Sequence, residues 1–364
     1  NWGVSAGDRT VVVTNNDDAY RTALELHNAG RTVKAVVDAR DTADGPLPQA
    51  VRAAGIRVET RMALAKVNGS AKVDGVTLCN YRGEGAPTEE LACDVVAMSG
   101  GWSPVVHLWS HCGGKLLWDE DAAMFVPDME RAPTGADGQP GVRPCGSASG
   151  RRAAGDVLED AHATGRAAAA AAGFDGAAGA PAKAEPPDEA PLMPVWVMPD
   201  AAGPIKRSKM WLDFQNDVKV SDVQLAQREG YESVEHTKRY TTLGMATDQG
   251  KTSNINGLAV LSQARNKPIP EVGTTTFRPP YTPVSMGAIG GEARGTLFQP
   301  LRKTPIHDWH EANGAHWEPV GHWRRPYCFR QEGETVAQAV RREITPAREA
   351  VGLLDASALG KILV

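Results

Sequence analysis

A β-α-β unit opens the chain and constrains the rest of it. Thr10-Val-Val-Val-Thr14 is a short apolar run, and Asp18 to Ala29 carries Ala23, Leu24 and His27 at helical spacing. Gly30 then turns the chain into a second apolar run, Val33 to Val37, ending at Asp38. Two strands joined through a helix pair in parallel by a right-handed crossover, which commits this region to an α/β sheet. A second strand that ends in an acid is where a dinucleotide fold hydrogen-bonds a ribose hydroxyl. The first turn, Thr14-Asn-Asn-Asp-Asp18, has no glycine and places two carboxylates where a pyrophosphate needs close backbone approach. The unit therefore keeps a nucleotide-binding shape without the binding chemistry, and Asp38 reads as a solvated strand end rather than a ribose partner.

A third βα repeat follows, with Leu47 to Ala54 helical and Ile56 to Thr60 extended. Strands are expected at Ala63 to Val67, Ala71 to Leu78 and Leu91 to Met98, with Asn68-Gly69 and Asp74-Gly75 as hairpin turns. The last runs into Ser99-Gly-Gly-Trp-Ser-Pro104, whose paired glycines permit close approach of a ligand or of another backbone. Val142 to Cys145 reads as a further strand, leading through Gly146-Ser-Ala-Ser-Gly150 into a long helix from Ala153 to Ala172. A glycine-bearing turn into a helix is either an anion site or a tight crossover. Residues 173–204, rich in Gly, Ala and Pro, read as a linker. Beyond it, Ser221-Asp-Val-Gln224 has capping-box form, and helices are expected up to Gly230, from Ser233 to Tyr240 and from Asn254 to Ala264. Pro268 to Phe298 reads as irregular, Glu334 to Arg342 as helix, and Gly352 to Asp355 as the start of a strand.

Between the second and third of those helices lies Gly244-Met-Ala-Thr-Asp-Gln-Gly-Lys-Thr252, entered from the basic helix end Lys238-Arg239. Free N–H groups at a helix start favour an anion. The spacing is one residue longer than a P-loop and the approach is helical, which argues against a nucleoside triphosphatase motif. Two readings stand: a flavin or nucleotide phosphate cradle, or a helix-loop-helix corner with a solvated lysine.

At 364 residues the chain exceeds what one core usually serves, so two or three domains are expected. A net charge of −5 with scattered cations disfavours nucleic acid. Five cysteines without a C-x-x-C pair argue against a zinc ribbon, a redox dithiol and a disulfide framework, and favour a cytoplasmic protein. No apolar run approaches a membrane span of ~20 residues. Four histidines and three tryptophans cluster between His307 and Trp323, but tryptophans favour packing, and no metal site is assigned.

Trp211-Leu-Asp-Phe-Gln-Asn-Asp217, Arg228-Glu-Gly-Tyr231, Glu235-His-Thr-Lys-Arg-Tyr-Thr-Thr242 and Gly244 to Lys251 together resemble the alpha subunit of heterotetrameric sarcosine oxidase. Ser99 to Pro104 and Gly146 to Gly150 resemble the late strand and the final strand-helix turn of its dinucleotide-binding region. Thr304-Pro-Ile-His-Asp-Trp-His310 and Leu353-Leu-Asp-Ala-Ser357 resemble the opening of its folate-binding domain. The resemblance implies an α/β pyridine-nucleotide-disulfide-reductase-like dinucleotide-binding fold, then a small helical module and the start of an aminomethyltransferase-like α+β domain. The implied boundaries are a partial dinucleotide-binding domain at 1–180, a linker at 181–208, the helical module at 209–270, a crossing segment at 271–300 and a truncated folate domain at 301–364. The glycine fingerprint is expected before Asn1, and the acidic group that acts on folate beyond Val364.

In that family a beta subunit carries FAD and oxidises the N-methyl amine, and electrons pass to an FMN near the alpha-beta interface. Oxygen then reoxidises the FMN to give hydrogen peroxide, while the alpha subunit holds NAD and a tetrahydrofolate site that captures the one-carbon unit. This chain is thus implied to be a subunit of an oxidoreductase acting on CH-NH donors, with the beta and smaller subunits as partners. No catalytic residue is assigned in it, and the isolated fragment is expected to be inactive. NAD is implied against Gly100, Gly101, Gly146 and Gly150. The residue types and placement of the Gly244-to-Thr252 loop, rather than a motif of the family, point to Gly244, Thr247, Gln249, Gly250, Lys251 and Thr252 as the wall of the FMN shared with the partner, with Lys251 neutralising the phosphate. Two alternatives remain: the alpha-like subunit of another flavin-dependent amine or proline dehydrogenase complex, and a non-catalytic docking scaffold. The former often carries a cysteine-rich iron-sulfur module where Lys209 to Lys267 has no cysteine.

Overall fold

In the computed structural model, which describes residues 4–174, 176, 179–360 and 362, the chain forms two compact units that meet in sequence at Pro283 and Val284. The first unit is built on a parallel sheet of strands β1 (Arg9–Thr14), β2 (Thr32–Asp38), β3 (Val58–Thr60) and β7 (Val95–Ser99), in the order β3-β2-β1-β7. Helices α1 (Asp18–Asn28) and α2 (Pro46–Ala53) make the crossovers. A three-stranded antiparallel meander, β4 (Met62–Gly69), β5 (Val73–Asn80) and β6 (Pro87–Ala92), packs on the opposite face. Side chains alternate across a strand, and β1 shows the consequence. Val12 packs with Tyr20, Ala23 and Val51 of the helices, while Val11 and Val13 pack with Val76 and Leu78 of the meander.

The single strand expected from Leu91 to Met98 is two. It breaks at Cys93 and Asp94, where the chain leaves the meander and enters the parallel sheet. The Asp94 carboxylate accepts from the amides of Asp8 and Arg9 at 3.0 and 2.7 Å, fixing the changeover to the start of β1. A short helix α3 (His107–His111) and the hairpin β8 (Leu116–Asp119) and β9 (Met124–Pro127) follow. Val142 to Cys145 forms no strand; the chain enters a 3-10 turn at Gly146–Ser149 and then α4 (Ala154–Ala171).

After a short helix α5 (Pro204–Arg207), the helical module begins with the two-stranded pair β10 (Trp211–Asp213) and β11 (Val218–Lys219). Helices α6 (Val220–Arg228), α7 (Val234–Thr241) and α8 (Asn254–Arg265) follow, then a short α9 (Ile269–Val272). The cap of α6 lies two residues earlier than Ser221: the Lys219 amide donates to the Asp222 carboxylate at 2.9 Å. In α8, Leu258, Ala259, Val260 and Leu261 are each no more than 1% exposed. A helix buried on every side must be central, and α8 packs against α6 and α9.

The second unit holds α10 (Met286–Gly290), α11 (His307–Ala312), the hairpin β12 (Ala315–Val320) and β13 (Trp323–Phe329), and α12 (Val336–Glu349). Thr335 caps α12 reciprocally with Gln338, whose amide donates to Thr335 Oγ and whose side chain accepts from the Thr335 amide. Of the histidine and tryptophan cluster only His307 and His310 are buried: His307, 2% exposed, stacks on Trp317 with ring centroids 4.4 Å apart, while Trp309 and His316 are exposed. Gly352 to Asp355 is not a strand. Asp355 instead accepts from the Ser357 amide at 2.9 Å and pairs with His310 Nε2 at 3.2 Å; the Ser357 side chain foremost, then its amide, Thr304 and His310, hold the carboxyl well below the usual range against the effect of burial.

Candidate functional site

Two places carry the sequence-level expectations, and elementary chemistry separates them. The first is the crevice at the carboxyl ends of β1 and β7, where the strand order reverses and an open α/β sheet binds its ligand. Here Asn15, Asn16 and Asp17 are each no more than 5% exposed and Asp38 is fully buried. Asp38 is not a solvated strand end. Its carboxylate accepts from Arg40 Nε at 3.1 Å and Nη2 at 2.7 Å and from the Tyr20 hydroxyl at 2.8 Å. The same Arg40 Nη2 donates to Asp17 Oδ1 at 2.6 Å. The two carboxylates raise the Arg40 pKa against the opposing effect of burial, and burial together with Asp38 raises that of Tyr20. The β1 turn thus engages both carboxylates through one guanidinium, whose Nη1 is buried without a hydrogen-bond partner among the described residues.

A segment of the linker closes the crevice. The Met193 amide donates to the Asn15 carbonyl at 3.1 Å, Asn15 Nδ2 donates to the Met193 carbonyl at 2.7 Å, and the Ala190 amide donates to Asp17 Oδ2 at 2.8 Å. Arg21 pairs with Glu189 at 3.0 Å. Gly100 sits within this stitching, its carbonyl accepting from Asn15 Nδ2 at 3.2 Å, and a side chain on Gly101 would meet Leu192. Gly146 and Gly150 have a different setting. The Gly146 amide donates to Asp160 Oδ2 of α4 at 2.7 Å, so the turn's anion is a carboxylate of its own helix, and Gly150 packs on Val126 of β9.

The second place is the loop between α7 and α8, which gathers Gly244, Thr247, Gln249, Gly250, Lys251 and Thr252. Buried Asp213 anchors its start, accepting from the Gly244 amide at 2.8 Å. Gly244 and Gly250 have φ of +67° and +72° and flank the Asn254 carboxamide, so a Cβ at either would overlap the Asn254 oxygen. Asp248 accepts from the Gly250 amide at 3.2 Å and from the Thr252 hydroxyl at 3.4 Å. Thr247 donates to Gln215 at 3.1 Å, and Gln249 Nε2 to the Ala246 carbonyl at 2.9 Å. Lys251 Nζ donates to the Tyr281 carbonyl at 2.7 Å and stands 4.1 Å from the Tyr281 ring centroid.

Beside this loop the structure opens a cleft of about 240 Å³ lined by Glu235, Lys238 and Arg239 of α7, by Gly244, Met245 and Gln249, and by Arg278 to Pro280. Glu235 builds it: one carboxylate oxygen pairs with Arg239 at 3.2 Å, the other accepts from the Thr276 amide at 2.7 Å, which draws the Arg278 segment to the helix. Lys238 is half-buried, and burial, assisted by Arg278 and Arg239 and opposed by Glu235, lowers its pKa. Lys238 and Arg239 were visible in sequence as a basic helix end. Arg278 was not, because some 40 residues separate it from α7 and its own surroundings carry no motif.

In the second unit, His307, Asp308 and Glu311 bring three potential ligand atoms within 4.8 Å of one another. The carboxylates are exposed, and Arg324 lies 3.8 Å from Glu311, so the group reads as a solvated helix face over a stacked histidine. Among the described residues no helix is long and apolar enough to cross a membrane.

Known proteins match both units. Residues 207–293 match the sarcosine oxidase A3 domain family, and residues 306–364 match the GCVT N-terminal domain family. Sarcosine oxidase subunit alpha of Corynebacterium sp. (strain P-1) is 42% identical over 99% of this chain and 37% of its own length. The Rhizobium meliloti (strain 1021) protein of the same name is 38% identical over 99% of this chain and 34% of its length. The chain therefore spans little more than a third of these relatives. Among solved structures, L-proline dehydrogenase from P. horikoshii aligns with a TM-score of 0.54 at 19% identity, covering 79% of this chain and 51% of that one, which supports the dinucleotide-binding fold.

Proposed function

We propose that this chain, a relative of the sarcosine oxidase alpha subunits along 99% of its own length, works as part of such a subunit in a flavin-dependent complex that demethylates sarcosine to glycine. The identity of 42% across both units is the observation that carries this reading. Hydrogen peroxide and a one-carbon unit passed to tetrahydrofolate would be the other products, with amine oxidation on a partner beta subunit. The likeness to the proline dehydrogenase, at 19% identity, bears on fold and not on substrate.

Within the complex we assign the α7–α8 loop and its cleft to the alpha-side wall of an FMN shared with the partner. Its residues fit: half-buried Lys238 and exposed Arg239 and Arg278 surround a cleft, next to two glycines that let the backbone come close. FMN, when bound, supplies the electron acceptance; this chain's residues position it and balance its charge. Exposed Met98, Trp102, Val105 and Leu108 give the same unit apolar surface of the kind that subunits cover.

The crevice at the carboxyl ends of β1 and β7 fits NAD less well. A pyrophosphate in its own crevice would face Asp17 and would have to displace the segment from Ala190 to Met193, while Gly146 already donates to Asp160. Tetrahydrofolate is assigned to the domain that opens at residue 306, from its family match. The test is a purification of the full-length subunit with its partners, measuring flavin content and sarcosine-dependent oxygen uptake. One FMN and one FAD per assembly with peroxide formation are expected; an assembly without FMN, or inactive on sarcosine, overturns the reading.

A further inference from the structure

The residue that sequence singled out as the phosphate partner is Lys251, and in the structure its ammonium is already engaged. It donates to the Tyr281 carbonyl and lies over that ring, while Asp248 takes up the Gly250 amide and the Thr252 hydroxyl. A phosphate arriving there would meet a carboxylate. The cleft on the other side of Gly244 has the opposite character. Three cations, Lys238, Arg239 and Arg278, face one carboxylate, Glu235, whose oxygens are already used by Arg239 and the Thr276 amide. The formal excess of two positive charges matches a phosphate monoester dianion.

We propose that Lys238 and Arg278, with Arg239 beside them, form the seat for the phosphate monoester end of the ligand, and that Lys251 serves to hold the Arg278-to-Tyr281 segment in place. This deepens, and rests on, the flavin reading above. At about 240 Å³ the cleft is smaller than the roughly 300–1,000 Å³ that encloses a whole cofactor, so it takes the phosphate and leaves the ring outside, toward a partner. Arg278 provides a planar donor fork and Lys238 a point charge, the two usual modes of phosphate recognition. The lowered Lys238 pKa agrees with a cation held short of counter-charge until the ligand enters.

The experiment compares FMN with riboflavin, which differ only in the phosphate, by fluorescence titration of the flavin-depleted complex carrying the full-length subunit. The variants are Lys238→Gln, Arg278→Gln, the double variant, Lys238→Arg and Lys251→Gln, each matched to wild type by thermal melting. Each lost charge-assisted contact is expected to weaken FMN about tenfold or more, and the double variant about 100-fold, with riboflavin unchanged. Lys238→Arg should keep the preference for FMN, and Lys251→Gln should weaken FMN and riboflavin alike. If the double variant weakens both flavins equally, or only Lys251→Gln removes the preference for FMN, the phosphate seat is elsewhere and the flavin reading stands. If wild type binds neither flavin, the flavin reading falls, and titration with inorganic phosphate decides the seat: binding lost in the double variant supports it, binding retained overturns it.

Discussion

Replacing Arg40 by methionine tests whether the closed crevice of the parallel sheet is held by its buried charges. Asp17 and Asp38 both accept from the same Arg40 Nη2, at 2.6 and 2.7 Å, which leaves their oxygens about 5 Å apart at most. With the guanidinium gone, two carboxylates at that separation repel by about 3 kcal/mol at an effective dielectric constant of 20. This agrees with the roughly 3–5 kcal/mol lost when one partner of a buried pair is removed. Urea unfolding of the first unit measures the loss, with hydrogen exchange at Val11 to Val13 as the local readout. A second variant, Arg40→Met with Asp38→Asn, should recover part of the loss. A deficit below about 1 kcal/mol, or no recovery in the double variant, would refute the claim that this ion cluster is a paired, desolvated plug.

Three further outcomes follow from named contacts. Gly250→Ala should lower the melting temperature of the helical module and cost about 2 kcal/mol or more, because an alanine at φ +72° is strained and its Cβ would overlap the Asn254 carboxamide; an unchanged melt would mean the loop relaxes freely. Glu334 is held down to about 2 by its ion pair with Arg342 at 2.8 Å, so its contribution to the second unit is present above the unfolded value of about 4.3 and is lost as pH falls toward 2. Glu334→Gln should therefore narrow the difference in stability between pH 5 and pH 2, as read by circular dichroism, and an unaltered acid profile would count against the pair. Because an anion restores the charged form of Lys238, ligand binding should take up protons and weaken as pH rises through the Lys238 pKa; calorimetry in two buffers of different ionisation enthalpy gives the sign, and proton release would contradict it.

The sequence by itself determined the elements whose periodicity is local. The run Val11 to Val13, the helical spacing of Ala23 and Leu24, and the all-apolar Leu258 to Leu261 each declare their element, and the turn at Asp17 and Asp18 shows two carboxylates where a pyrophosphate needs close backbone approach. Gly244 and Gly250 likewise marked a loop, and both take positive φ in the structure. What sequence could not supply were choices made between distant segments. Leu91 to Met98 read as one strand because nothing local shows that Asp94 must cap the amides of Asp8 and Arg9 and so divide it. Asp38 read as solvated, although Arg40 stands only two residues on, because Tyr20, the Asp17 carboxylate that shares that guanidinium and the linker residues that cover the crevice become its neighbours only after folding.

The same division explains the loop between α7 and α8. Residue types placed a phosphate site there and gave it to Lys251, the cation beside the glycines. The tertiary structure turned Lys251 onto Tyr281, filled the loop with Asp248, and carried Arg278 across to Lys238 and Arg239. Electrostatic potential at a site sums over charges brought together in space, whereas a motif reports only charges adjacent along the chain.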